Sequence, residues 1–203
     1  ALLFCVGTGF GILVNLHLRS RREQFTLASD RVDQQIKGIL GDMARWLAQE
    51  DKSAAAGSNA VSCPIGCGEN YFDMLWEALG QAETCAVANY GNAPFSRDTY
   101  ELDYVRMRQQ QAVILQAVYD NIRGITYLPR QAGQVAKLLK QIQQEYHRYN
   151  NVEGLLSQLQ ALLADMQTQD LPRSREEFEA RAVLFYILKQ LEELLEVKKR
   201  FCA

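Results

Sequence analysis

Few residues in this chain are of a type and spacing that could do chemistry. Cys63 and Cys67 stand in C-P-I-G-C. A structural zinc site spaces its cysteine pairs more tightly as a rule and needs two further ligands, yet Cys85 and Cys202 are remote in sequence and no Cys/His pair has matching spacing. A redox pair prefers C-x-x-C at a helix start, so the two read as reduced loop thiols. His147, in E-Y-H-R-Y-N-N, lacks a sequence partner of the kind a general base needs. It reads as a polar residue near a helix C-terminus. The run Arg175-Glu176-Glu177 with Glu179 does not make a metal cluster, because neighbours one apart on a helix point in different directions. Acids at a helix N-terminus are what the dipole favours. Glu-x-x-His, a P-loop, H-E-x-x-H and a Ser/His/Asp ordering are all missing. The reading is a protein that is not an enzyme, with no metal or cofactor.

Gly7, Gly9 and Gly11 lie in ALLFCVGTGFGILVNLHL, residues 1–18, which hold no acid or base. The spacing is wrong for G-x-G-x-x-G and no strand precedes it. A stretch of ~18 apolar residues is already a membrane-span candidate, and Gly7 and Gly11 then form the G-x-x-x-G that lets helices approach closely in lipid. Arg19, Arg21 and Arg22 follow directly. Basic residues beside a span resist translocation and pair with anionic lipid, so residues after about 22 are expected in the cytoplasm. The chain does not begin with Met and reads as a segment of a longer protein: residues 1–18 the end of a membrane domain, 19–203 a cytoplasmic domain.

The elements behind these residues are helices. In 203 residues there are 4 prolines, and 22 basic residues stand against 24 acidic. That balance carries no nucleic-acid footprint. Apolar residues recur at three- and four-residue steps from Phe25 to about Gln49, through Val32, Ile36, Leu40, Met43 and Leu47. This helix is expected to continue the membrane segment, and its apolar stripe is the candidate surface for coupling to a partner. Residues 51–68 form a loop. Further helices are expected over about 69–89, 97–125 with Gln111 in its apolar seam, one opened by Pro129 as its first helical residue, one capped by Asn150 with Glu153, and a last one capped by Ser174 with Glu177 and running through Phe178 to about Arg200. Lys198, Lys199 and Arg200 suit its negative end. Short connections make successive helices antiparallel neighbours. The fold class is all-α, an antiparallel bundle of about five to six helices.

Leu171-Pro172-Arg173-Ser174-Arg175-Glu176-Glu177-Phe178-Glu179-Ala180-Arg181-Ala182-Val183-Leu184-Phe185 resembles a run of the form L-P-x-[ST]-R-E-E-F-E-x-R-A-x-L-F. That run ends the C-terminal cytoplasmic domain of bacterial aromatic acid exporters, within the fusaric-acid-resistance-like membrane proteins. Leu128-Pro129-Arg130-Gln131-Ala132 and the His147-x-x-Asn150 step resemble the same domain, as does a glycine-bearing final span followed by basic residues. Ala180 stands where that family has Asn, Gln190 where it has an acid, and 51–68 looks inserted. The motif residues carried over are Pro172, Ser174, Arg175, Glu176, Glu177, Phe178, Arg181 and Phe185.

The resemblance implies a cytoplasmic domain with a regulatory or assembly role in an inner-membrane exporter of aromatic acids or similar small organic anions. Its partners would be the lipid bilayer, upstream transmembrane helices of the same protein and further copies of itself, with no nucleic acid. The alternative is a membrane-anchored extracytoplasmic bundle acting as an envelope or secretion-system interaction protein. That reading expects disulfides among Cys63, Cys67, Cys85 and Cys202, where the exporter reading expects free thiols.

Overall fold

The computed structural model describes residues 2–48, 69–91, 98–146 and 152–202, with only the helical backbone given for 2–21 and 69–70. Six helices follow one another: α1 (Leu2–Leu47), α2 (Glu69–Gly91), α3 (Tyr100–Arg123), α4 (Ala132–Glu145), α5 (Glu153–Thr168) and α6 (Arg175–Cys202). The fold is an all-α bundle. The expected loop at 51–68 with Cys63 and Cys67, and His147 and Asn150, lie outside the described residues.

Helix α1 is a single helix from the apolar N-terminal stretch into the bundle. Its stripe of Phe25, Val32, Ile36, Ile39, Leu40, Met43, Trp46 and Leu47 is at most 2% exposed. The candidate coupling surface is therefore consumed by the bundle's own core. Among the described residues no helix is long and apolar enough to cross a membrane. The expected span at 1–18 falls where side chains are not described.

Hydrogen-bonded pairs give the register of the helix packing. Along α2 and α3, Asn89 meets Glu101 and Gln109 meets Glu83, while the rings of Phe72 and Tyr119 stack edge to face. Rising numbers on one helix meet falling numbers on the other, so the two are antiparallel. The same ladder joins α3 to α6: Asn121 to Gln190, Gln111 to the Leu194 carbonyl, and the Tyr104 ring to Phe201. Consecutive helices are not always neighbours, however. Helix α3 packs chiefly on α6, and α4 lies along α1, while α3 and α4 scarcely touch. The connection from Gly124 to Gln131, though short, lets α4 leave α3 and cover the face of α1 that α2 does not.

The helix ends show where local chemistry decides and where it does not. Pro129 is not the first residue of α4. Its carbonyl accepts the Ala132 N–H at 2.8 Å, so a turn intervenes and α4 begins three residues on. Helix α5 has Val152 at its N-cap position, with no side-chain cap bond. At α6 the serine half of the capping box forms: the Glu177 N–H donates to Ser174 Oγ at 3.1 Å. The Glu177 carboxylate reaches back to the Arg173 N–H at 2.9 Å, one residue earlier than a reciprocal box requires. That bond, with the charge of Arg181, holds the Glu177 carboxyl below the usual carboxylate range.

Candidate functional site

Two sets of side chains stand out: a charged cluster inside the core, and a polar pocket where three helix ends meet.

The cluster is built on α3. Tyr104, Arg108 and Gln111 fall on one face of the helix, three and four residues apart, and that face is buried by α1, α6 and the end of α4. Arg108 is fully buried. Its Nε donates to the Tyr104 hydroxyl oxygen at 3.1 Å, and that hydroxyl donates to Asp33 Oδ1 on α1 at 2.8 Å. Its Nη1 donates to the Tyr146 hydroxyl oxygen at 2.5 Å and to Gln111 Oε1 at 2.7 Å. Tyr146 in turn donates to Gln111 Oε1 at 2.8 Å, and Gln111 Nε2 donates to the Leu194 carbonyl on α6 at 2.9 Å. Nη2 lies 2.8 Å from Asp33 Oδ1, a charge contact whose angle is poor for a hydrogen bond.

Two donor chains thus leave one guanidinium and end on a carboxylate and a backbone carbonyl. Both phenols must keep their protons for the chains to run, and burial ensures it. Burial raises Tyr104 to about 12, against the opposing pull of Arg108, and raises Tyr146 as well. Lys198 of α6 is buried beside them, with Nζ 5.1 Å from the centre of the Tyr146 ring. Burial, then the Arg108 charge, pulls it down to about 8, with Asp33 opposing. Lys198 therefore does not serve the helix dipole; Lys199 and Arg200 occupy the last turn. The cluster can hold charge and helix register, since an arginine does not deprotonate and neither phenol ionises near neutral pH.

The pocket lies where the turn before α4, the C-terminal end of α5 and the start of α6 come together, and has a volume of about 530 Å³. Arg130 is exposed at its edge, and Gln131 forms its buried floor. Gln131 Nε2 donates to Gln169 Oε1 at 2.5 Å, while Gln169 and Gln134 both donate to Asp165 Oδ2, at 2.8 and 3.3 Å. From α6, Arg181 donates to the Asp170 carbonyl at 2.6 Å and to Glu177 Oε1 at 2.5 Å. Both Leu-Pro-Arg stretches of the sequence, 128–130 and 171–173, thus precede residues of one pocket.

The other motif residues are dispersed. Phe178 is 61% exposed rather than part of the core. Arg175 also faces solvent, paired with Glu179 at 2.8 Å. Glu176 is exposed, Pro172 half-buried, and Phe185 packs half-buried against the core. Arg22 is exposed, and for Gly7, Gly11, Arg19 and Arg21 nothing beyond the helical backbone is described. Among the described residues no group of three His, Cys, Asp or Glu could hold a metal ion.

A second groove, of about 740 Å³, runs between α1 and α4 over Gly38, Gly41, Ala44 and Ala136, with Lys137 and Lys140 along it.

Comparison with known proteins agrees with this architecture. A crystal structure of a putative membrane protein from Clostridium difficile 630 matches with a TM-score of 0.68 at 21% identity, over 88% of this chain and 97% of that one. That likeness is one of fold. "Uncharacterized protein YqjA" of Bacillus subtilis (strain 168) is 22% identical over 199 residues, 98% of this chain. The chain spans 58% of that relative's length. Residues 23–199, from the exposed start of the described side chains to the last turns of α6, match the model of the family described as "Putative aromatic acid exporter C-terminal domain", and the chain belongs to that family.

Proposed function

We propose that the chain is the cytoplasmic C-terminal domain of an inner-membrane exporter of aromatic acids or similar small organic anions. It acts in regulation or assembly, not in catalysis. The observation that carries this reading is α1, one helix from Leu2 to Leu47. Its N-terminal part has the apolar sequence of a membrane span, and its later part brings Asp33 to buried Arg108. A shift or rotation of such a helix at one end displaces a charge pair at the other, a coupling of the hinge-and-shear kind. The family supports the transport assignment, and the chain accounts for only 58% of the Bacillus relative's length.

Cys202 is exposed and gives the test of sidedness. In cells making the full-length protein with Cys202 as its only thiol, a membrane-impermeant maleimide should label it only after permeabilisation. Labelling of intact cells would overturn the cytoplasmic placement. The transport reading is tested by loading such cells with a radiolabelled aromatic carboxylate: deletion of the gene should slow efflux, and unchanged efflux of a panel of such acids contradicts it.

A further inference from the structure

We infer that the exposed face at the start of α2 docks into the groove between α1 and α4 of a second copy of this chain, joining copies head to tail.

The inserting face is Asp73-Met74-Leu75-Trp76-Glu77. Leu75 turns into the core, while Met74 and Trp76 are 49% and 38% exposed and both acids face solvent. At 3.6 residues per turn, Asp73 and Glu77 fall between the two apolar side chains. Glu69, Asp73, Glu77 and Glu83 lie on α2, which carries no basic residue at all. A second α2 laid against this face would set acid against acid, and like charges across an interface oppose binding. The surface that fits is basic and has room for large apolar side chains.

The groove of about 740 Å³ between α1 and α4 has both properties. Small residues make its floor, Gly38, Gly41 and Ala44 from α1 and Ala136 from α4. A methyl group on Gly38 meets nothing within 4 Å, so the floor is open there to a side chain from outside. Lys137 and Lys140, one turn apart along the groove, are exposed and form no ion pair among the described residues. The one acid on the groove, Asp42, is already paired with Arg45. Charge and shape are thus complementary between two different surfaces of the same chain.

The two surfaces also stand at one height. Arg31 donates to Gln81 at 3.3 Å, and Tyr71 borders the groove with Ala44 and Ala48. Helix α2 therefore runs antiparallel to α1, with Asp73 near the level of Gly41. Gln143 donates to the Lys37 carbonyl at 3.0 Å, while Tyr146 and Asp33 share Arg108. Helix α4 is antiparallel to α1 too, and Lys140 comes near that same level. Copies whose α1 helices enter one bilayer stand side by side at equal height, which brings the acids of one to the lysines of the next. The contact is heterologous and repeats until a ring closes. This deepens the assembly role proposed above and rests on that reading for the shared height, whereas its test reads association alone and is independent of sidedness and efflux.

The test is sedimentation of the full chain in detergent, with the N-terminal helix present in every variant. At about 100 μM the wild type should form species larger than a monomer. Lys137→Glu with Lys140→Glu should weaken association about tenfold or more, and so should Asp73→Lys with Glu77→Lys. An equimolar mixture of the two double variants should associate again, since each then offers the other opposite charge. Gly38→Leu should also weaken association, by filling the groove without changing any charge. All five substituted positions are exposed, so helical circular dichroism should match the wild type. A monomeric wild type would mean that these faces are covered by their own chain or by another protein, and would overturn the inference. Charge variants that associate as the wild type does, or a mixture that stays apart, would overturn it equally.

Discussion

Asp33 Oδ1 lies 2.8 Å from Nη2 of the fully buried Arg108 and at the same time accepts the Tyr104 hydroxyl, so one carboxylate oxygen ties α1 to both ends of a turn of α3. Removing one member of a buried pair leaves the other as an uncompensated charge, at a cost of about 3–5 kcal/mol. Asp33→Asn should therefore lower the urea midpoint by far more than a surface change does. Arg108→Met in the Asp33→Asn background should recover part of the loss. A double-mutant cycle read by helical circular dichroism should give a coupling of about 1–3 kcal/mol; additive single effects would show that the pair is incidental.

The pH dependence follows from the groups around Lys198. It faces Arg108 from α3, Asp33 and Lys37 from α1, Tyr146 from the end of α4, and Cys202 on its own helix. Its folded value near 8 lies below the usual 10.5, so between those values the unfolded chain binds more protons and stability rises with pH. Tyr104 does the reverse. Folded, it keeps its proton up to about 12; unfolded, it loses it near 10.0, so stability falls as pH climbs from 10.0 towards 12. Denaturation midpoints should climb from pH 8, crest near pH 10 and then drop. Lys198→Met should flatten the climb and keep the drop; a climb unchanged in that variant would assign it elsewhere.

The start of α6 separates two residues that sequence alone treats as one motif. Ser174 caps the helix by accepting the Glu177 N–H at 3.1 Å, and losing such a cap costs about 1 kcal/mol. Phe178 is 61% exposed, and surface changes usually stay within about 0.5 kcal/mol. Ser174→Ala should thus destabilise more than Phe178→Ala, as guanidinium titrations of the two variants would reveal. The reverse order would mean that Phe178 is covered in solution.

Two glycines of α1 make a further pair. A methyl group on Gly38 meets nothing within 4 Å, whereas on Gly41 it meets the side-chain amide of Gln143. That amide donates to the Lys37 carbonyl at 3.0 Å. Alanine is favoured over glycine inside a helix by about 0.5–1 kcal/mol. Gly38→Ala should raise the thermal midpoint. Gly41→Ala should gain less or nothing, because Gln143 must swing away and give up its bond.

The helices and their breaks were legible because apolar spacing and proline report directly on local structure. Phe25 to Leu47 and the Ser174 cap are the plainest cases. The packing partners were not legible: nothing local to α3 or α4 says that each will choose a more distant helix over the other. The charged cluster was hidden for a related reason. Tyr104 and Tyr146 are aromatic enough to pass for apolar positions in a helical period, Gln111 was visible in the seam, and Lys198 had a sufficient explanation in the helix dipole. Arg108, four residues after Tyr104 and three before Gln111, was the available signal; a charge so close to a seam is either snorkelling or buried, and only packing decides which. The pocket at Gln131 and Arg181 was half legible, since both lie in the stretches that carry the family resemblance. That the two stretches meet in space depends on α5 folding back between them.

The long ladder between α3 and α6 also governs when this protein can finish folding as it is made. Gln111 waits for Leu194, 83 positions later, and Tyr104 waits for Phe201 at the end of the last helix. Until those residues clear the ribosome, the face of α3 that carries Arg108 has α1 and Tyr146 beside it but lacks the cover of α6, and the nascent chain must present the uncovered part to solvent or to a chaperone. Chains cut short before α6, by a premature stop or by proteolysis, would expose that same face and would be marked for degradation or aggregation.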